Sequence, residues 1–146
     1  MSSTVNGYQI EPGANLTNAD LTGADIYNVK SDSITETLTL PEGYSVVNGY
    51  IVGPNVNLSG GDLPGVDLSG VDLIDADLCR ANLSVARLGT AIMNDAHLTR
   101  SDLSPVNLPS AHLFPTHIYS ADLLITILHL SDLTMRTLSR SPLRLT

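Results

Sequence analysis

From Leu58 onward every fifth residue is a large aliphatic: Leu58, Leu63, Leu68, Leu73, Leu78, Leu83, Leu88, Met93, Leu98, Leu103, Leu108, Leu113, Ile118, Leu123, Leu128, Leu133, Leu138 and Leu143. Sixteen of these eighteen are Leu, and only Leu124, Leu130 and Leu145 fall off the register over that stretch. Two places before each centre lies a second regular position, running from Val56, Gly61, Val66 and Val71 through Ala76, Ala81, Ala86, Ala91 and Ala96 to Ser141. Seventeen of its eighteen residues are small or β-branched, Arg136 being the exception. A mostly polar residue sits between the two, as in Ala76-Asp77-Leu78-Cys79-Arg80. A period of five fits neither the 3.6 of a helix nor the alternation of a flat strand, so the backbone has to turn a corner every five residues. Gly60, Gly65 and Gly70 fall where such corners are expected.

A shorter run has centres at Leu16, Leu21 and Ile26, and the next regular centre, Leu58, lies thirty-two residues on, which is not a multiple of five. Between the runs, Val47-Asn48-Gly49-Tyr50, then Pro54 and Asn57-Leu58, repeats Val5-Asn6-Gly7-Tyr8, Pro12 and Asn15-Leu16 at an offset of forty-two. Both copies read as structural lead-ins to a repeat run. Residues 34–44, with Thr37-Leu38-Thr39-Leu40 and Pro41-Glu42-Gly43, predict a strand and a turn, forming either an irregular coil or a loop over one face. The expected organisation is one domain over 1–146, with a first run at 14–28, an irregular insertion and lead-in at 29–55, and a main run at 56–143.

The unit small, Asp or Asn, Leu, then two variable residues resembles the motif of the pentapeptide-repeat family, over residues 14–28 and 56–143. That resemblance implies an all-β fold, a right-handed quadrilateral parallel β-helix with four pentapeptides per square coil. The central Leu and the small residue would point inward and the other three outward. At a strand spacing of about 4.8 Å the main run would rise roughly 20 Å.

Composition agrees with a small-residue, aliphatic interior: 42% of the residues are apolar and only 4% aromatic, with no Trp and one Phe. The net charge of −8 disfavours direct nucleic-acid binding and anionic membranes, both of which attract Lys and Arg. The charge is uneven, with eleven acids and only Lys30 in residues 1–79, against six Arg and four acids in residues 80–146. The lone Cys79 excludes an internal disulfide framework. A basic, apolar leader and a membrane-length apolar run are both missing from the sequence, so a cytoplasmic location is the default expectation and leaderless export stays open.

Paired carboxylates can serve acid–base chemistry, but Asp62, Asp67, Asp72, Asp77, Asp102, Asp122 and Asp132 all hold the motif's polar position and are expected to bond to the turn backbone. His97 and His117 should stack on one face with His112 on a neighbouring one, and Arg80, Arg100 and Arg140 should share a column; both sets read as solvated surface. Cys79 should face outward as an incidental thiol, and the Asn-Leu-Thr/Ser tripeptides arise from the repeat itself. No catalytic, cofactor-binding or metal-ligating residue is assigned, and a filled interior makes a small-molecule ligand unexpected. From about residue 122 the outward sites turn apolar, and Leu124, Ile125, Ile127, Leu130, Met135 and Leu145 form the candidate interaction surface. The expectation is a non-enzymatic structural or interaction protein whose partner is a protein, in the first place itself, as a homo-oligomer or a head-to-tail filament. The resemblance implies an alternative, a DNA mimic that binds and protects DNA gyrase. Against it stand the absence of Phe at the central positions and the late Arg136, Arg140 and Arg144.

Overall fold

Among the described residues, the carbonyls of Leu16, Leu21, Ile26, Leu58 and the centres from Leu68 to Leu103 accept a hydrogen bond from the N–H three residues later, the next unit's small residue. Examples are Ala76 N–H to Leu73 O at 3.1 Å, Ala81 to Leu78 at 3.1 Å and Ala86 to Leu83 at 3.0 Å. The residue just before the small one has positive φ: Asn18, Gly23 and Asn28 in the first run, and Gly60, Gly65, Gly70, Asp75, Arg80, Val85, Thr90, Asp95 and Arg100 in the main run. A three-residue hydrogen bond with positive φ only at the third position is a type II turn. Each of these pentapeptides therefore ends in one.

The computed structural model describes residues 3–5, 7–10, 16, 18–26, 28–34 and 37–106. Through the described part of the main run, successive coils pair in parallel at a spacing of twenty residues, Asn57 with Asp77 and Asp77 with His97, Asp62 with Asn82 and Asn82 with Asp102, Asp67 with Arg87, Asp72 with Ile92. The ladder is regular: Leu58 N–H donates to Asp77 O at 2.7 Å and Asp77 N–H to Val56 O at 2.9 Å, and the same pair of bonds recurs for Leu63/Asn82 and Leu78/His97. Four turns per twenty-residue coil make this part of the chain a parallel β-helix. No helix occurs among the described residues.

The interior matches the five-residue pattern as far as it is described. Leu58, Leu63, Leu68, Leu73, Leu78, Leu83, Leu88, Met93, Leu98 and Leu103 are all buried, as are Val56, Val66, Ala76, Ala81, Ala86, Ala91, Ala96, Ser101 and Val106. Val71 is only partly buried. The centres from Leu108 to Leu143 lie outside the described residues. At Gly61 an added Cβ would sit 2.9 Å from Leu58 O and 3.3 Å from the Tyr50 ring, which explains the smallest residue at that inward site.

Both lead-ins are antiparallel β-hairpins. Strand β1 (Ser3–Val5) pairs with β2 (Tyr8–Ile10) so that Val5 faces Tyr8, and β3 (Ser45–Val47) pairs with β4 (Tyr50–Val52) so that Val47 faces Tyr50. Asn48 and Gly49 both have positive φ, 47° and 82°, which makes a type I′ turn. The second hairpin is amphipathic: Ile51 and Val52 are buried, whereas Ser45 and Val46 face out.

Beyond residue 28 the inward spacing goes on. Val29, Ser31 and Ile34 are buried, and Ser33 has the corner's positive φ. Ser31 thus takes a leucine place, and its hydroxyl accepts the Ile51 N–H at 2.8 Å, an otherwise buried donor. The expected strand over Thr37–Leu40 reduces to one parallel bridge, Asp20 with Thr39, because Leu38 and Leu40 are only partly buried. The Pro41-Glu42-Gly43 turn is present, closed by Tyr44 N–H to Pro41 O. This coil is irregular, the bridged Lys30 and Asn57 standing at an offset of twenty-seven residues instead of twenty. Two tyrosine hydroxyls complete bonds that the ladder leaves open, Tyr44 donating to Pro54 O at 3.1 Å and Tyr50 accepting from Asp62 N–H at 2.9 Å.

The polar position caps the following turn. The side-chain oxygens of Asp20, Asn57, Asp67, Asp72, Asp77, Asn82 and Asp102 accept the backbone N–H two residues on, at 2.9–3.1 Å. Asp62 instead accepts from the Asn82 side chain at 2.9 Å. The Asp67 carboxyl is held below its ordinary range chiefly by the Ser69 side-chain and backbone bonds, with Arg87 adding to the effect; Asp20 is lowered likewise by Thr22.

Three measurements check this architecture. Ser31→Ala strands the Ile51 N–H and should cost about 1–3 kcal/mol in denaturant unfolding. Val85, a β-branched residue at φ 55° and 58% exposed, should be improved upon by Asn, with Val85→Asn raising stability by roughly 1 kcal/mol. A carboxyl with a lowered folded pKa stabilises above its unfolded value, 3.8 here, and loses that contribution as pH falls through the folded value. Asp67→Asn, which keeps the turn bond as Asn57 and Asn82 do, should therefore flatten the acid side of the melting-temperature curve.

Candidate interaction surface

With the aliphatics turned inward, three residues per unit remain outside: the polar capping residue, the one after the central Leu and the corner. Stacking at twenty residues sorts them into columns. One face carries the capping column Asn57, Asp77, His97, continued downward by Lys30, and beside it Ser59, Cys79, Thr99. Its two bounding corners are Asn55, Asp75, Asp95 on one side and Gly60, Arg80, Arg100 on the other.

Two shallow clefts lie on this face. One, of about 500 Å³, is lined by Asn28, Asn55, Val56, Asp75, Asp77, Cys79 and His97; the other, of about 540 Å³, by Lys30, Ser59, Gly60, Asp77, Cys79, Arg80, Thr99 and Arg100. Lys30 donates to Ser59 O at 2.7 Å, which anchors its ammonium in the second cleft. The described ion pair, Arg87 with Asp67 at 3.8 Å, is half a coil away and exposed, and contributes little.

Cys79 is half-buried between the clefts. Burial first, then the hydrogen bond and negative charge of Asp77, push its thiol up, with Thr99 opposing. A thiol held protonated is a poor nucleophile at neutral pH. His97 shares the first cleft with Asp75, Asp77 and Cys79, yet among the described residues no three His, Cys, Asp or Glu side chains come together as metal ligands. Among the described residues, no helix is long and apolar enough to cross a membrane.

Of the residues singled out from the sequence, Arg80 and Arg100 share an edge as expected, and Asp67, Asp72, Asp77 and Asp102 bond to their own turns, whereas Asp62 does not, because Pro64 two residues on has no N–H to offer. The apolar candidates Leu124, Ile125, Ile127, Leu130, Met135 and Leu145 lie outside the described residues, as do His112, His117, Asp122, Asp132 and Arg140. The acidic corner opposite the arginines was not anticipated. Its signal was available in the spacing, since Asp75 and Asp95 stand five residues before Arg80 and Arg100.

A family model for pentapeptide repeats matches eight copies, over residues 12–30 and 55–88. No curated protein matches the chain significantly. Among solved structures, the chain is similar to HetL, a pentapeptide repeat protein involved in heterocyst differentiation regulation from the cyanobacterium Nostoc sp. Strain PCC 7120, at 35% identity over 53% of this chain and 43% of that chain, with a TM-score of 0.31. The chain thus spans less than half the length of that structure's chain. Repeats of this unit, closed by the same turn and stacked every twenty residues, identify the chain as a member of the pentapeptide-repeat family.

Proposed function

We propose that the chain is a non-enzymatic interaction protein that associates with copies of itself through its outer surface. In this reading residues 1–146 form one right-handed quadrilateral β-helix, and the twenty-residue ladder with four turns per coil supports that cross-section. One observation carries the functional reading. The described interior is filled with aliphatic side chains, and four of the repeated carboxylates, Asp67, Asp72, Asp77 and Asp102, are committed to their own turns. What remains for function is the ordered outer surface, where side chains repeat at fixed intervals and can match another regular surface.

The outward carboxylate columns and the net charge of −8 favour a second reading, the DNA mimic that binds gyrase. The basic column of Arg80 and Arg100 interrupts the acidic surface that mimicry requires, which places this reading second.

Light scattering with negative-stain microscopy on the full chain tests association: dimers or longer assemblies are expected, and a monodisperse monomer at every concentration rejects it. Ile125→Asp with Ile127→Asp should lower the assembly size if the late apolar belt contributes a contact. A gyrase supercoiling assay should show no effect of the protein, and inhibition or protection there would restore the mimic.

A further inference from the structure

The four corner columns of the main run differ in charge. Gly65, Val85 and Pro105 are neutral, as are Gly70 and Thr90, whereas the column Asn55, Asp75, Asp95 carries negative charge at Asp75 and Asp95 and the column Gly60, Arg80, Arg100 carries positive charge at Arg80 and Arg100. The acidic and basic columns bound one and the same face, the one holding both clefts. Asp75, Arg80 and Arg100 are exposed, and Asp95 is half-exposed. Lys30 adds a third cation to the basic cleft.

Such a face is complementary to itself under one symmetry operation. A two-fold axis lying in the face and parallel to the coil axis exchanges its left and right edges while leaving each coil at its own level. The acidic column of one copy then lies over the basic column of the other, Asp75 opposite Arg80 and Asp95 opposite Arg100. An axis across the coils would set like charge on like charge. Asp77, near the middle of the face, is half-buried with its carboxylate turned to the Cys79 N–H, so its charge is drawn towards its own turn.

From this we infer that the face between the Asp75/Asp95 and Arg80/Arg100 edges is the contact of a parallel, side-by-side homodimer, the arginines of each copy entering the acidic cleft of the other. The inference rests on the self-association reading and gives it a location. Isologous contacts of this kind close as dimers and do not propagate.

Sedimentation of the full chain tests it with two charge-reversed forms, Arg80→Asp with Arg100→Asp, and Asp75→Lys with Asp95→Lys. Asp is at least as well suited as Arg to the corner's left-handed backbone, and Arg80 and Arg100 show that a long basic side chain is accommodated there. Melting temperatures verify that both forms fold, and Asp75→Asn with Asp95→Asn serves as a milder form that preserves the turn. Each reversed form alone should associate roughly tenfold or more weakly than the parent, an equimolar mixture should recover heterodimers, and raising salt from about 50 to about 500 mM should weaken the parent. Folded variants that associate like the parent, or a mixture that recovers nothing, overturn the proposed face while leaving self-association standing. A parent that never associates overturns both.

Discussion

Everything in the described part of this molecule depends on the type II turn that ends its pentapeptides. It reverses enough of the chain to keep the next unit on the same ring, and it uses the central residue's carbonyl, which would otherwise be buried without a partner next to an aliphatic core. Because the turn recurs every five residues, the remaining N–H and C=O groups emerge along the coil axis at matching heights and can be satisfied only by a neighbouring coil. Turn and ladder are therefore conditions of each other. A single coil has the turns and lacks the ladder, which is why stability in such repeats is shared between neighbours.

The same turn allocates chemistry to the surface. Its third position needs a left-handed backbone, which Gly and Asn adopt readily and a β-branched residue resists, yet this chain places Asp, Arg, Thr and Val there as well as Gly. Those substitutions cost conformational energy, and in return they put charged side chains at the corners, where they project furthest from the coil. The capping residue contributes differently: its oxygen is engaged by the N–H two residues later, so the most abundant carboxylates are the ones least free to act on anything else. A polar, acidic exterior thus comes with little free chemistry except at the corners.

The coil between residues 30 and 57 shows what happens when the unit fails. There the chain inserts a hairpin, and its unmet backbone bonds are completed by side chains: Ser31 for Ile51, Tyr50 for Asp62, Tyr44 for Pro54. Tyr44 also lies so close to Gly53 that a Cβ there would meet its ring at 2.3 Å. Tyr44 and Tyr50, two of the few aromatic residues in the chain, are thus used where regular stacking breaks down.

How much of this was legible in advance differs from feature to feature. The five-residue spacing of Leu78 and Leu98, the small Ala81 and the glycine corners were legible from the sequence, while the inward place of those aliphatics and the outward place of Asp77 followed from the resemblance of the unit to pentapeptide repeats. The hairpin at Asn48-Gly49 is also encoded locally, since that dipeptide between apolar residues is the strongest short hairpin signal, and the repeat of Val-Asn-Gly-Tyr at both lead-ins is the repeat of that hairpin. Ser31 could not be read as a core position, because only the approach of Ile51 from twenty residues away makes a buried hydroxyl tolerable. The five-residue offset of Asp75 and Asp95 from Arg80 and Arg100 signalled an acidic and a basic edge, yet the sequence by itself determined only the order of the outward residues: the number of residues per coil decides which of them become neighbours, and that number is set by the closure of the ladder.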